Sequence, residues 1–229
     1  MQFSSVIGQQ TVKDQLLQML RQNRLSHALL FLGKEGSGSL SLALAFAQYL
    51  VCEKVNGKQT QPTSTSPALF ADETIVAETT TFLPDSCGEC AACIKAAKMI
   101  HPDIHYSFPV ITKKAGESPI SNDFIKEWRE FILAHPYGNL YDWLQHIGAE
   151  NKQGNITARE CNEMIHKMSL KSFEAPYKIM ILWMPELLGK EGNKLLKLIE
   201  EPAPDTLFIL VAENEALILP TILSRTQLV

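Results

Sequence analysis

The segment Gly33-Lys34-Glu35-Gly36-Ser37-Gly38-Ser39-Leu40 has the outline of a phosphate-binding loop but lacks its two working side chains. In the pattern G-x-x-x-x-G-K-[ST], the lysine reaches the β- and γ-phosphates and the hydroxyl after it holds Mg²⁺. Here Ser39 stands at the lysine position and Leu40 at the hydroxyl position. Gly33, Gly36 and Gly38 keep the backbone turn, and a helix N-terminus beneath such a loop still attracts anions through its free N–H groups. Lys34, near the start of the loop, does not replace the missing lysine. Enzymes of this kind also need an acid where a later buried strand ends, to hold Mg²⁺. The matching run, Lys178 to Leu182, ends in Trp183-Met184-Pro185, and the first acid, Glu186, lies further on. Neither Trp nor Met supplies the oxygen ligands that magnesium takes. With both places lost, this chain is expected neither to bind ATP productively nor to hydrolyse it.

Cys87-x-x-Cys90-x-x-Cys93 with Cys52 upstream makes four thiolates, enough for a closed tetrahedral Zn²⁺ site. An iron–sulfur cluster accepts the same four sulfurs, so the spacing leaves the metal open. Four protein ligands leave no open coordination position, which makes the site structural. His101 and His105 are further imidazole donors, although His101-Pro102-Asp103 reads as a turn. Cys161 reads as a small buried hydrophobe. Arg225 follows an apolar segment, Ile218 to Leu223. It is either a solvated surface charge or a finger that reaches a neighbour's γ-phosphate.

Those residues need a scaffold. Val12, Leu16, Leu17 and Leu20 have helical spacing with one apolar face. Ser26 to Leu32 suits a buried parallel strand leading into the glycine loop, and Leu40 to Val51 is a helix apolar nearly all round, hence buried. Lys54 to Pro84, rich in Thr, Ser, Gln and Pro, reads as a partly disordered surface excursion. A short helix follows the cysteines, and His105 to Val110 reads as a strand. Phe124 to Leu133 and Leu140 to Ile147 read as amphipathic helices, flanked by a loop at Lys113 to Ser118 and a turn at Asn151 to Gly154. Thr157 caps the next helix, with Glu160 completing a capping box. Lys178 to Trp183 and Thr206 to Val211 are buried strands, separated by a helix over Asn193 to Glu200. Helices alternating with apolar strands predict a parallel α/β sheet covered on both faces.

The chain has 229 residues, is 45% apolar and 20% charged, and carries a net charge of −4. That composition supports a sizeable core. Its acidity argues against unaided binding to duplex DNA, where affinity comes from Lys and Arg neutralising phosphates. The N-terminus lacks a basic stretch followed by an apolar run, so no secretory signal is expected. Five cysteines without such a signal fit a reducing cytosol. The most apolar segment, Leu40 to Cys52, is too short to span a bilayer, so no membrane partner is expected.

Together these segments resemble the clamp-loader branch of the AAA+ ATPases. Phe3 to Gly8 and Ser26-His27-Ala28 resemble the family's opening strand and the approach to its loop. Cys52, Cys87, Cys90 and Cys93 resemble the zinc module that bacterial clamp-loader subunits insert after the P-loop helix. Asn193 to Pro202 resembles the helix after the second strand. Leu223-Ser224-Arg225-Thr226 resembles the Ser-Arg-Cys motif, with Thr226 in place of the cysteine. The resemblance implies a P-loop AAA+ type parallel sheet with helices on both faces and a small inserted Cys₄ zinc module. It implies structural Zn²⁺, no bound ATP, and Arg225 with Ser224 as an arginine finger completing a neighbour's ATP site. The implied partners are the gamma/tau and delta subunits of a bacterial clamp loader, with the sliding clamp and primed DNA reached through the assembled complex in the cytoplasm.

Residues 1–229 then form one AAA+ core, with a polar insertion at about 53–86, the zinc module at 52 and about 87–100, and an extra helical segment at about 111–155. Family members continue into a helical lid and a collar, so the resemblance places this chain as the N-terminal part of such a subunit. Two rival expectations remain: an ATP-binding motor subunit, and a zinc-dependent nucleic-acid module, against which the acidic balance argues.

Overall fold

A computed structural model describes residues 1–57, 83–112, 116, 118–150 and 152–229. Most of the polar excursion at Lys54 to Pro84 therefore lies outside the described residues, as do parts of the loop at Lys113 to Ser118 and the turn at Asn151 to Gly154.

Five strands form one sheet: β1 (Ala28–Leu32), β2 (Ile104–Ser107), β3 (Lys178–Trp183), β4 (Thr206–Ala212) and β5 (Gln227–Leu228). The spatial order is β2-β3-β4-β1-β5 and every pairing is parallel. Strands β3 and β4 are buried along their whole length, so they read as continuous apolar runs rather than alternating ones. Alternate residues still feed opposite faces. Leu29, Phe31, Ile179, Ile181, Trp183, Ile209 and Val211 join one core, and Leu30, Met180, Leu182, Phe208 and Leu210 join the other.

The first core is covered by α1 (Gln10–Arg21), α2 (Ser39–Val51), α3 (Ala91–Ala97), α4 (Ile125–Ala134) and α5 (Leu140–His146). The second is covered by α6 (Ala158–Ser169), α7 (Leu196–Glu200) and α8 (Pro220–Leu223). The expected α/β sheet with helices on both faces is present. Helix α2 is buried from Leu40 to Val51, wedged between the sheet and an outer layer. Among the described residues no helix is long and apolar enough to cross a membrane.

Four local expectations are corrected. Phe3 to Gly8 is not a strand: Phe3–Ser5 is a 3-10 turn, because the Asp85 carboxylate accepts the N–H groups of Phe3 and Ser4, each at 2.9 Å. The strand expected at His105 to Val110 stops at Ser107. Ser121 Oγ takes both backbone groups of Phe108 at 3.0 Å, and Pro109 has no N–H to offer a ladder. The helix expected at Asn193 to Glu200 is α-helical only from Leu196, and Asn193 to Leu195 belong to a 3-10 run over Pro185–Leu195 that is bent at Gly189 (φ 51°). Thr157 does cap α6, accepting the Glu160 N–H at 3.1 Å, but Glu160 does not reach back. Its buried carboxylate accepts the Ser121 N–H at 2.7 Å.

Candidate functional site

Strand β1 delivers the glycine loop to the N-terminus of α2. Gly36 (φ 74°) and Gly38 (φ 80°) take left-handed backbone conformations that disfavour a side chain, and Gly38 is the N-cap of α2. At Gly33 a Cβ would run into Ser37 Oγ, so the loop folds tightly on itself. Gln9 Nε2 donates to the Ser37 carbonyl at 3.1 Å and ties the loop to the start of α1. The cavity at the loop, lined by Gln9, Gly33, Ser37, Ser39 and Val229 among others, has a volume of about 40 Å³. Small-molecule pockets run to roughly 300–1,000 Å³, so the enclosed space beside the loop lies well below that range.

Acidic side chains also gather at this end of the sheet. Burial pushes the Glu213 carboxyl up, and the charges of Glu186 and Glu35 push it further, so three carboxylates share the end of the sheet that a phosphate would approach. Glu186, the first acid after β3, is already committed: its Oε1 accepts the N–H groups of Glu213 at 2.6 Å and Asn214 at 2.9 Å. It secures the turn after β4 through that one oxygen, while its Oε2 is buried without a hydrogen-bond partner. Trp183, where a magnesium-binding acid would stand, is buried against Trp128 with ring centroids 5.2 Å apart.

At the far end of α2, Cys52 meets Cys87, Cys90 and Cys93. All four Sγ atoms lie within 4.8 Å of one another, and Cys87 and Cys93 are 3.9 Å apart. A tetrahedron with metal–sulfur bonds of about 2.3 Å has an edge of about 3.8 Å, so the cluster has the size of a thiolate metal site. A disulfide, with sulfurs about 2.05 Å apart, is excluded. Backbone N–H groups point at the sulfurs at 3.4 Å: Cys87 to Cys52, Cys90 to Cys87, and Cys93 to Cys90, which also caps α3. His101 and His105 do not join the cluster. His101 Nε2 faces Glu174 at 3.2 Å instead.

Burial pushes the Cys52 and Cys93 thiols up. For Cys87 burial acts the same way, but N–H groups of Cys90 and Glu89 outweigh it and bring the thiol down to about 7. A bound metal would therefore displace protons from the Cys52 and Cys93 thiols, which otherwise hold them through neutral pH. Metal affinity is expected to be highest above pH 8 and to fall by at least about tenfold per pH unit on acidification below 7. A competition titration with a chelator across pH 6 to 8.5, for which a flat profile is the adverse result, checks this.

The cysteine segment is welded to the chain's N-terminus. Gln2 Nε2 donates to the Ser86 carbonyl at 2.6 Å, and Gln48 Nε2 to Ser86 Oγ at 3.0 Å. Because α2 rises about 1.5 Å per residue, the thiols stand about 20 Å from the glycine loop and take no part in phosphate chemistry. Asp85, Gln2 and Gln48 carry no motif, and sequence reasoning passed over all three.

Arg225 lies beyond α8 and is clasped. Its Nε donates to Glu200 Oε1 at 2.6 Å and its Nη1 to the Thr221 carbonyl at 2.7 Å and to Ser224 Oγ at 3.1 Å. Its side chain is about one-third exposed. Ser224 steadies the guanidinium, and Glu200, on α7, is a partner the sequence did not single out.

The chain can now be set beside known proteins. It is 25% identical over 219 residues to DNA polymerase III subunit delta' of Bacillus subtilis, covering 96% of this chain and 46% of that protein. It is equally 25% identical, over 224 residues, to DNA polymerase III subunit tau/gamma of Haemophilus influenzae, covering 97% of this chain and 22% of that protein. A solved structure of a DNA polymerase III gamma subunit-related protein from Thermotoga maritima matches with a TM-score of 0.48 and 15% identity, covering 94% of this chain and 45% of that one. The chain thus spans less than half the length of these relatives. The family described as DNA polymerase III, delta subunit, matches residues 8–229. The chain belongs to that family and is delta-prime-like.

Proposed function

We propose that this chain is the AAA+ core of a clamp-loader subunit that does not hydrolyse ATP and instead completes the ATP site of a neighbour with Arg225. The observation that carries the reading is the loop: Ser39 and Leu40 replace the lysine and the hydroxyl, and only about 40 Å³ remains open beside them. The relatives' names place them in DNA polymerase III, which supports the reading that the assembled complex loads a sliding clamp on primed DNA. Gamma/tau and delta subunits are the proposed ring neighbours. Zn²⁺ is the proposed metal of the Cys52, Cys87, Cys90 and Cys93 cluster. When bound it supplies a fixed tetrahedral centre and no chemistry of its own.

One observation favours a second reading. The tau/gamma relatives match as much of the chain, at the same identity, as the delta' relatives do. A motor subunit would bind nucleotide. Calorimetric titration with Mg·ATP separates the two, and the expected result is no saturable heat up to millimolar nucleotide. Saturable binding with a micromolar Kd would transfer the chain to the motor class.

A further inference from the structure

The two lost elements of nucleotide chemistry and the extra helical segment turn out to be neighbours. The segment leaves and rejoins the core at one neck, where Val110 and Asn155 exchange both backbone hydrogen bonds at 3.0 Å. Its helix α4 brings Trp128 and Phe131 onto Trp183, Trp143 of α5 packs on both of those α4 rings, and Phe108 stacks on Trp128 with centroids 4.1 Å apart. The place of the magnesium-binding acid is thereby filled with packed aromatic rings.

The turn between the same two helices, His135-Pro136-Tyr137-Gly138, lies on the glycine loop. It is closed by a 2.9 Å hydrogen bond from the Gly138 N–H to the His135 carbonyl. The Tyr137 ring covers Gly38 so closely that a Cβ there would sit 2.7 Å from Cε1, and the Tyr137 hydroxyl accepts the Ile7 N–H at 2.8 Å. Ser41 Oγ, in the first turn of α2, donates to the Pro136 carbonyl. Asn139, which caps α5, donates from Nδ2 to Glu35 in the loop. A carbonyl oxygen is thus bound at the N-terminal turn of α2, where the partial positive charge of the helix attracts an anion.

The structure assigns the degenerate loop an occupant: we propose that residues 135–139 of this same chain are its permanent intramolecular ligand. The inserted segment closes both the loop and the strand end, so the loop's geometry is set by the chain and not by nucleotide. This deepens the reading of the subunit as non-hydrolysing and rests on it.

The test separates the plug from the missing side chains. The Ser39→Lys, Leu40→Thr variant restores the loop chemistry, and a second variant adds Tyr137→Ala. With Mg·ATP as the probe, the triple variant is expected to bind at least about tenfold more tightly than the double variant. Equal affinity in the two, measurable or not, overturns the assignment. A second measurement leaves the natural loop untouched: Tyr137→Ala is expected to speed amide exchange at Gly38 to Leu42 while β3 and β4 stay protected. Unchanged exchange at the loop counts against the plug. Neither result depends on Arg225, so the plug can fail while the trans-acting role stands, and the reverse.

Discussion

Replacing Arg225 with alanine is expected to abolish most hydrolysis at one ATP site of the assembled loader while leaving this subunit folded. Arginine fingers are worth about 10³–10⁵ in kcat, because the guanidinium meets charge that develops only in the transition state. The cost to the subunit itself is small. The Arg225–Glu200 pair is partly exposed on both sides, and such pairs contribute at most about 1 kcal/mol. Arg225→Lys is expected to restore little, since an ammonium cannot reproduce the planar fork. The measurement is single-turnover hydrolysis by the reconstituted complex, with the Tm of the isolated subunit as control. An unchanged rate removes the trans-acting assignment. A lost rate with a collapsed Tm returns Arg225 to a structural role. Glu200 sharpens the experiment: Glu200→Gln loosens the clasp and keeps the arginine, so a shift in rate with that variant shows that the guanidinium must be aimed.

How much of this was legible in the sequence depends on how local each feature is. Strand, glycine turn and buried helix at Ala28 to Val51 follow from neighbouring residues, and the structure has all three. The C-x-x-C spacing brings three sulfurs together over two turns of chain, and Cys52 enters because an apolar helix has to end beside them. The contacts that give the site its character are long-range. Tyr137 reaches Ile7 and Gly38, Asn139 reaches Glu35, and Trp128 reaches Trp183; no periodicity encodes any of these. The Pro136-Tyr137-Gly138 turn was visible only as a break between two amphipathic helices. Glu160 shows how a local rule misleads. Its spacing from Thr157 fits a capping box, but a buried carboxylate takes whichever donor the tertiary fold presents, here the Ser121 N–H that holds the start of the inserted segment. The strand at β2 was over-extended for a related reason: Ser121, a residue distant in sequence, ends the ladder by taking both polar groups of Phe108.

Loss of one cluster thiolate, as in Cys90→Ser, is expected to cost more stability than any surface change in the chain. Structural zinc contributes about 10–16 kcal/mol of apparent binding energy in small zinc-dependent folds, and where a site forms only on folding that energy is folding energy. Here the cluster also anchors what surrounds it. Cys90 caps α3, and the adjoining Asp85 and Ser86 hold Phe3, Ser4 and Gln2. Phe3 in turn packs on Tyr49 with ring centroids 5.6 Å apart, against the buried helix α2. Unfastening the thiols therefore loosens the N-terminal segment and one flank of α2 together. The sheet is also held by the second core on its opposite face and is expected to persist. The predicted outcome is a loss of one equivalent of bound metal, with faster amide exchange in α3 and at residues 1–6 and near-normal protection in β3 and β4. Chelation of the unaltered protein should reproduce the same pattern. Retention of metal and of the exchange pattern in Cys90→Ser would make the four cysteines bystanders, held near one another by the fold and not by an ion.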